Sequence, residues 1–234
     1  MKLHIIGSSS AGNGYVLESE TSALIIECGV PFNDMLKAID FQVEKIAFGV
    51  CSHSHGDHSK YLEQYLKRGI KIANNVLLHH NSIKIEHRSA LSMSGWSVIP
   101  LRMNHDVECY GFLIKHKELG TLMFVTDTDS IPYKIKGINH AIVEANYSQE
   151  YLDEKQINHK INGYLATRVE NSHLSFEKCR EWLNGCDLND LQTVVLIHLS
   201  DSNAKSVNYV QSLQSDLGVP VVIADSGIKV NLGF

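Results

Sequence analysis

The chain repeatedly ends a short apolar run on a histidine or an aspartate, and few folds accommodate that pattern. Ile46 to Val50 runs into Cys51-Ser52-His53, and Val98 to Met103 ends at His105. Leu122 to Val125 leads to Thr126-Asp127, and Thr193 to Ile197 to His198. Apolar runs of this length read as buried strands, and loops at one edge of a rigid sheet are where functional side chains usually sit. One histidine closing a strand is ordinary polar punctuation. Four such ends, each carrying His or Asp, point to a site assembled along a sheet edge. The chain holds 13 histidines in 234 residues, more than surfaces and loops alone account for.

The rest of the pattern predicts one layered α/β domain spanning residues 1–234. Strands are expected at 2–6, 15–18 and 24–28, the first two joined by the loop Gly7-Ser8-Ser9-Ser10-Ala11-Gly12-Asn13-Gly14. Pro31 opens a helix to about Ala38, since proline suits a first helical turn. A second helix is expected from Ser59 to Lys67, and a strand at 70–73. Cys109 to His116 and Leu122 to Val125 read as a hairpin, and Ala141-Ile142-Val143 as a buried strand ending at Glu144. Helical stretches follow at 164–183, interrupted near Asn171-Ser172-His173, and at 204–213, before a last strand at 220–224. Strands first, then strands alternating with helices, is the order of a single α/β domain.

No apolar run is long enough to cross a bilayer, and Met1 to Gly7 reads as a strand rather than a signal peptide. Five scattered cysteines with no C-x-x-C pair fit reduced thiols, so a cytoplasmic protein without membrane association is expected. The net charge of −5 and the dispersed Lys and Arg residues favour a small anionic substrate over a long nucleic acid, which is usually gripped by a basic stripe.

The densest cluster of ligand-type residues is His53-x-His55-x-Asp57-His58. Residues two apart in an extended segment point the same way, so His53 and His55 converge on one ion. Gly56 lets the chain turn and send Asp57 and His58 to a neighbouring position. Imidazole and carboxylate donors suit zinc and similar divalent ions, and the lack of cysteine donors argues against a closed structural zinc site.

With these residues the chain resembles the metallo-β-lactamase superfamily, whose signature is H-x-H-x-D-H. The resemblance implies an αββα sandwich, two mixed β-sheets flanked by helices, with two divalent metals at the edge between the sheets; zinc and manganese both suit the donors. It further implies that His53, His55 and His105 hold the first metal, that Asp57, His58 and His198 hold the second, and that Asp127 bridges them. The diiron oxygen-reducing relatives carry Glu where His55 stands, and antibiotic-hydrolysing relatives usually carry Cys where Asp127 stands.

Phosphodiester chemistry fits this site: two cations neutralise developing charge on phosphate and make hydroxide available near neutral pH, while the leaving alkoxide needs a positioned acid. Val143-Glu144-Ala145-Asn146 and Ser172-His173-Leu174-Ser175 resemble the H-E-A-T and H-S-T segments of the ribonuclease Z branch, with Val143 replacing the family's His. That resemblance implies catalytic roles for Asp57, for His173 as proton donor and for Glu144 as its orienting partner. A solvent-facing helix residue and a strand-end carboxylate are the plain alternatives for the last two.

Gly7-Ser8-Ser9-Ser10-x-Gly12-Asn13, Glu144-Ala145-Asn146 and Ile197-His198-Leu199-Ser200 resemble the YycJ exonucleases and the phage anti-Pycsar phosphodiesterases. The serine-glycine loop either lines the pocket or simply connects a hairpin. The expected function is hydrolysis of small cyclic pyrimidine nucleotides to linear monophosphates, countering host antiviral signalling from within the host cytoplasm where the source is a phage. A 5′→3′ DNA exonuclease is the rival, and a glyoxalase II-like thioesterase a third reading. The family resemblance implies a homodimer. His79, His80, His87, His116, His140 and His159 belong to no motif and are read as surface or packing residues.

Overall fold

Along the strands, apolar side chains alternate between two destinations, and this alternation sets the layers. In the computed structural model, which describes residues 1–200 and 206–233, the chain begins with β1 (Lys2–Ser9), β2 (Gly12–Glu18), β3 (Ala23–Ile26), α1 (Phe32–Ala38) and β4 (Ile46–Val50). Next come α2 (Gly56–Ser59), α3 (Leu62–Lys67), β5 (Ile72–Ala73), β6 (Ser82–Ile83), β7 (Leu91–Met93), β8 (Trp96–Met103), β9 (Cys109–His116) and β10 (Gly120–Val125). The remainder is β11 (His140–Glu144), α4 (Gln149–Ile157), α5 (Gly163–Ser172), α6 (Phe176–Asn184), β12 (Thr193–Ile197), α7 (Ser206–Leu217), β13 (Val221–Ile223) and β14 (Lys229–Asn231).

Two seven-stranded sheets result, ordered β14-β1-β2-β3-β4-β5-β6 and β13-β12-β11-β10-β9-β8-β7. On β3, Leu24 and Ile26 enter the core between the sheets, while Ala23 and Ile25 face α1 and α3. On β10, β11 and β12, Phe124, Ile142 and Val195 point to that same inner core; Met123, Val143 and Leu196 face α6 and α7. Both faces of these strands are covered, which is why they read as unbroken apolar runs. Each sheet mixes parallel and antiparallel pairs. The arrangement is the αββα sandwich expected.

Several elements differ from expectation for identifiable reasons. The strand of 2–6 continues to Ser9, and the serine-glycine segment pairs with β2 up to Ser9↔Gly12, so only a two-residue turn is left of the loop. The helix expected over 59–67 is split into α2 and α3, because the Tyr61 N–H leaves the helical ladder to donate to the Cys28 carbonyl at 2.9 Å. Gly56 makes no left-handed turn; it opens α2, and that single helical turn swings Asp57 and His58 round. Helix α4 is polar nearly all round, with only Leu152 buried, so it has no periodicity to read. Strands β6, β7 and β14 are too short to show alternation. The helix expected over 204–213 extends to Leu217; its first residues, 204 and 205, lie outside the described residues.

Candidate metal centre

Strands β8, β10, β11 and β12 all run in one direction, since β8 and β10 are both antiparallel to β9, and β10, β11 and β12 are mutually parallel. Their C-terminal ends therefore share one edge, and they deliver His105, Asp127, Glu144 and His198 there. Across the sandwich, parallel β3 and β4 end at Glu27 and His53. Crevices outside the carboxyl ends of parallel strands are the usual ligand sites of such sheets. Glu27, Asp127 and His198 all lie in the left-handed region, at φ 68, 44 and 54. Such residues cost on the order of 1–3 kcal/mol each and persist where surrounding structure holds them, commonly at functional sites.

The ligand-type atoms form three overlapping groups that share Asp127, one of which joins it to Glu144, His173 and His198. One atom each from His53, His55, His105 and Asp127 lies within 4.8 Å of the other three, and the same holds for Asp57, His58, Asp127 and His198. His53 Nε2 stands 3.5 Å from Asp127 Oδ2, and His55 Nδ1 3.2 Å from His105 Nε2. His58 Nε2 is 3.3 Å from both Asp57 Oδ2 and Asp127 Oδ2, and His198 Nε2 is 3.2 Å from Asp57 Oδ2. All seven ligand candidates are thus brought together around Asp127.

The donor set suits divalent cations. His53 Nε2 is buried with no hydrogen-bond partner, an expensive state for a ring nitrogen unless an ion occupies it. Burial, with charge on His53, pushes His105 down to about 4, so its ring is neutral and offers a lone pair. In the second group burial opposes charge on the rings, but Asp127 and Glu27 outweigh it at His58, and Asp127 and Asp57 raise His198 to about 10. The buried Asp127 and Glu27 carboxylates, with Asp57 beside them, concentrate negative charge against these rings, which suits a divalent cation.

Three supporting residues had no role assigned from the sequence, although Asn13 and Asn146 lie in the segments that carry the resemblance. Glu27 is fully buried; its Oε2 lies 3.4 Å from His58 Nδ1, and both oxygens accept from the Ser52 N–H at 3.3 Å. Asn13 Nδ2 donates to Asp57 Oδ2 at 3.2 Å and lies 3.0 Å from His58 Nε2. Asn146 Nδ2 donates to the His198 carbonyl at 2.8 Å. Partners of this kind fix ring orientation and basicity. Glu27 carried one signal, a carboxylate closing the apolar run of β3. Gly29 lets the chain beyond it pass against the Asp57 backbone, where a Cβ would collide with the carbonyl.

His173 and Glu144 meet at the same edge. His173 Nδ1 donates to Glu144 Oε1 at 2.7 Å, and Glu144 Oε2 accepts from the N–H groups of Thr128 and Leu174. Burial opposes charge on His173, yet the Glu144 carboxylate more than compensates and raises it above the ordinary imidazole range. With Nδ1 engaged, Nε2 is left for a ligand, and the side chain keeps 22 % exposure.

These residues border a cavity of about 770 Å³ whose lining includes Ser9, Asp57, His105, Asp127, His173 and His198. The serine-glycine segment is thus both hairpin and wall, and Ser8 Oγ accepts from the His198 N–H at 3.0 Å. Of the histidines outside the site, His4, His116 and His140 are buried, whereas His79, His80, His87 and His159 lie wholly or partly at the surface.

No protein-family model and no curated protein matches the sequence. Solved structures do. The metallo-β-lactamase fold protein YhfI from Bacillus subtilis superposes with a TM-score of 0.72 at 18% identity, covering 98% of each chain. Zn²⁺-bound PqqB from Methylobacterium extorquens gives 0.71 at 13%, over 99% of this chain and 100% of that one. Human tRNase Z, short form, gives 0.64 at 14%, over 100% of both. The chain has the metallo-β-lactamase fold. Among the described residues, no helix is long and apolar enough to cross a membrane.

Proposed function

We propose that this protein is a two-metal phosphodiesterase that hydrolyses small cyclic nucleotides, of the cyclic pyrimidine type, to linear monophosphates. The observation that carries the reading is the His173–Glu144 pair, 2.7 Å long, beside two ligand groups that share Asp127. His53, His55, His105 and Asp127 would hold one ion, and Asp57, His58, His198 and Asp127 the other. When bound, such a pair of ions neutralises charge on the phosphoryl oxygens and acidifies water. The chain's own contribution is the proton: Glu144 orients His173 and favours its charged form, and Nε2 donates to the departing alkoxide.

A thiolate leaves without a proton, so a thioesterase gives this pair no task. The tRNase Z likeness favours a nucleic-acid end as the second reading, a 5′→3′ exonuclease. Against it, Arg168 is the one lysine or arginine lining the cavity among the described residues. Five unpaired cysteines suit a reducing cytoplasm, where cyclic nucleotide signals act, and the net charge of −5 favours a small substrate over a polymer. The same reading carries a homodimer, which sedimentation measures directly.

The deciding experiment is a panel of cyclic mononucleotides, 5′-phosphorylated duplex DNA and a thioester, run with zinc and with manganese. Turnover of the cyclic pyrimidine nucleotides is expected to lead. Rapid DNA digestion without cyclic nucleotide opening selects the exonuclease, and thioester cleavage alone rejects both.

A further inference from the structure

Helix α5 turns one stripe towards the cavity. Leu165, Arg168, Val169 and Ser172 all line it, at the i, i+3, i+4, i+7 spacing of a single helical face, and the helix ends on His173 as its C-cap. Two members of the stripe are aliphatic, and Leu165 keeps 45% exposure beside the His and Asp residues of the lining. Arg168 is exposed, and among the described residues no hydrogen bond, ion pair or ring contact holds its guanidinium. Asp57, Asp106 and Asp127 line the same cavity, yet none of them pairs with it. Its donors are therefore available to a ligand.

The position along α5 is informative. Arg168 precedes His173 by five positions, about 7.5 Å at helical rise. With a scissile phosphate between His173 and the ligand groups, that is the scale of a ribose set between a phosphate and its base.

We infer that this stripe is the base-binding subsite: Leu165 and Val169 cover one face of the nucleobase, and Arg168 donates its N–H fork to the carbonyl edge. The placement rests on the phosphodiesterase reading for the position of the phosphate. A second phosphate fits worse, because it gains nothing from two aliphatic neighbours and polymer backbones call for several cations. A guanidinium matches two adjacent acceptors, as on guanine O6 and N7. Cytosine O2 and N3 offer a similar pair, so cytidine and guanosine nucleotides benefit most.

The test is calorimetric titration of the zinc-loaded full chain with CMP, methyl phosphate and thymidine 3′,5′-bisphosphate, for wild type, R168A and R168K. Wild type is expected to bind CMP about tenfold more tightly than methyl phosphate, the scale of a hydrogen bond to a charged group. R168A should remove most of that advantage while leaving methyl phosphate affinity and zinc stoichiometry unchanged, and R168K should retain part of it. The inference is overturned if CMP has no advantage in wild type, or if R168A weakens CMP and methyl phosphate alike. It is also overturned if R168A penalises only the bisphosphate, which would assign the residue to a second phosphate. Turnover is judged apart: a wild type inert on every cyclic nucleotide defeats the proposed activity, while the binding comparison still decides Arg168.

Discussion

Glu27 Oε2 lies 3.4 Å from His58 Nδ1, and both side chains are closed to solvent. At this distance the ring nitrogen forms no hydrogen bond, but a buried carboxylate behind a ligand imidazole raises its basicity. Loss of a partner carboxylate typically costs 10–100-fold in metal affinity. Glu27→Gln keeps the size and the hydrogen-bonding capacity towards the Ser52 N–H but removes the charge. Zinc titration of chelator-stripped protein should show wild type saturating at about two ions per chain, as a two-metal site requires. In E27Q the binding step of the ion that His58 would hold should weaken by about 10–100-fold. Unchanged affinity would reduce Glu27 to a packing group, and saturation at one ion would remove the two-metal assignment.

The His173–Glu144 pair predicts a dependence on the leaving group. His173→Ala should retain both metals and lose roughly a hundredfold or more in kcat on an unactivated phosphodiester, the usual scale for a general acid. On bis(p-nitrophenyl) phosphate, whose leaving group needs no proton, most of the defect should vanish. E144Q should lower kcat less, because it loosens the donor without deleting it. An equal loss on both substrates would mean that His173 acts on binding or structure instead.

His140, at the start of β11, makes a pH prediction away from the metal ligands. It is 1% exposed, neither ring nitrogen has a hydrogen-bond partner, and burial pushes it down to about 4 from an ordinary value of 6.5. The folded chain therefore keeps the ring neutral while the unfolded chain takes up a proton. Its stability contribution is complete above pH 6.5 and falls as pH drops towards 4, by about 3 kcal/mol in all. Urea unfolding at pH 7.5 and pH 5 should show wild type losing more stability on acidification than H140F. Equal losses in the two proteins would rule out His140 as the source.

The legible part of this site lies where chemistry and local pattern coincide. His53, His55, Asp57 and His58 fall within six positions, and His105, Asp127 and His198 each close an apolar run, so local pattern alone pointed to them. Glu144 and His173 were legible through short resembling segments, although their 2.7 Å bond joins positions 29 residues apart. Glu27 also closes a strand, but its role depends on β3 lying parallel to β4, which brings its carboxylate under Ser52 and His58. No local pattern carries that pairing. Asn13 was hidden in a segment whose glycines and serines read as turn chemistry, whereas it sits within β2. Arg168 lay on a helix with nothing to say which face met the cavity.

Salt dependence separates the two substrate classes. A cyclic mononucleotide held by the ligand groups and one guanidinium displaces few counterions, because Arg168 is the only lysine or arginine among the described residues lining the cavity. The slope of log affinity against log salt scales with the number of phosphates neutralised by protein cations, at about −0.9 for each. The cyclic nucleotide carries no condensed counterion atmosphere and Arg168 faces its base, so kcat/KM should change only weakly across the salt series. A DNA exonuclease gripping six or more backbone phosphates should lose about a thousandfold or more between 50 and 200 mM salt. Measuring kcat/KM for a cyclic pyrimidine nucleotide and for 5′-phosphorylated duplex DNA across one salt series compares the two directly. Strongly salt-sensitive DNA digestion, with negligible opening of the cyclic nucleotide, would reassign the substrate to DNA ends. Because the ligand groups around Asp127 and the His173–Glu144 pair serve either phosphodiester, that outcome would change the substrate and leave the roles of these residues intact.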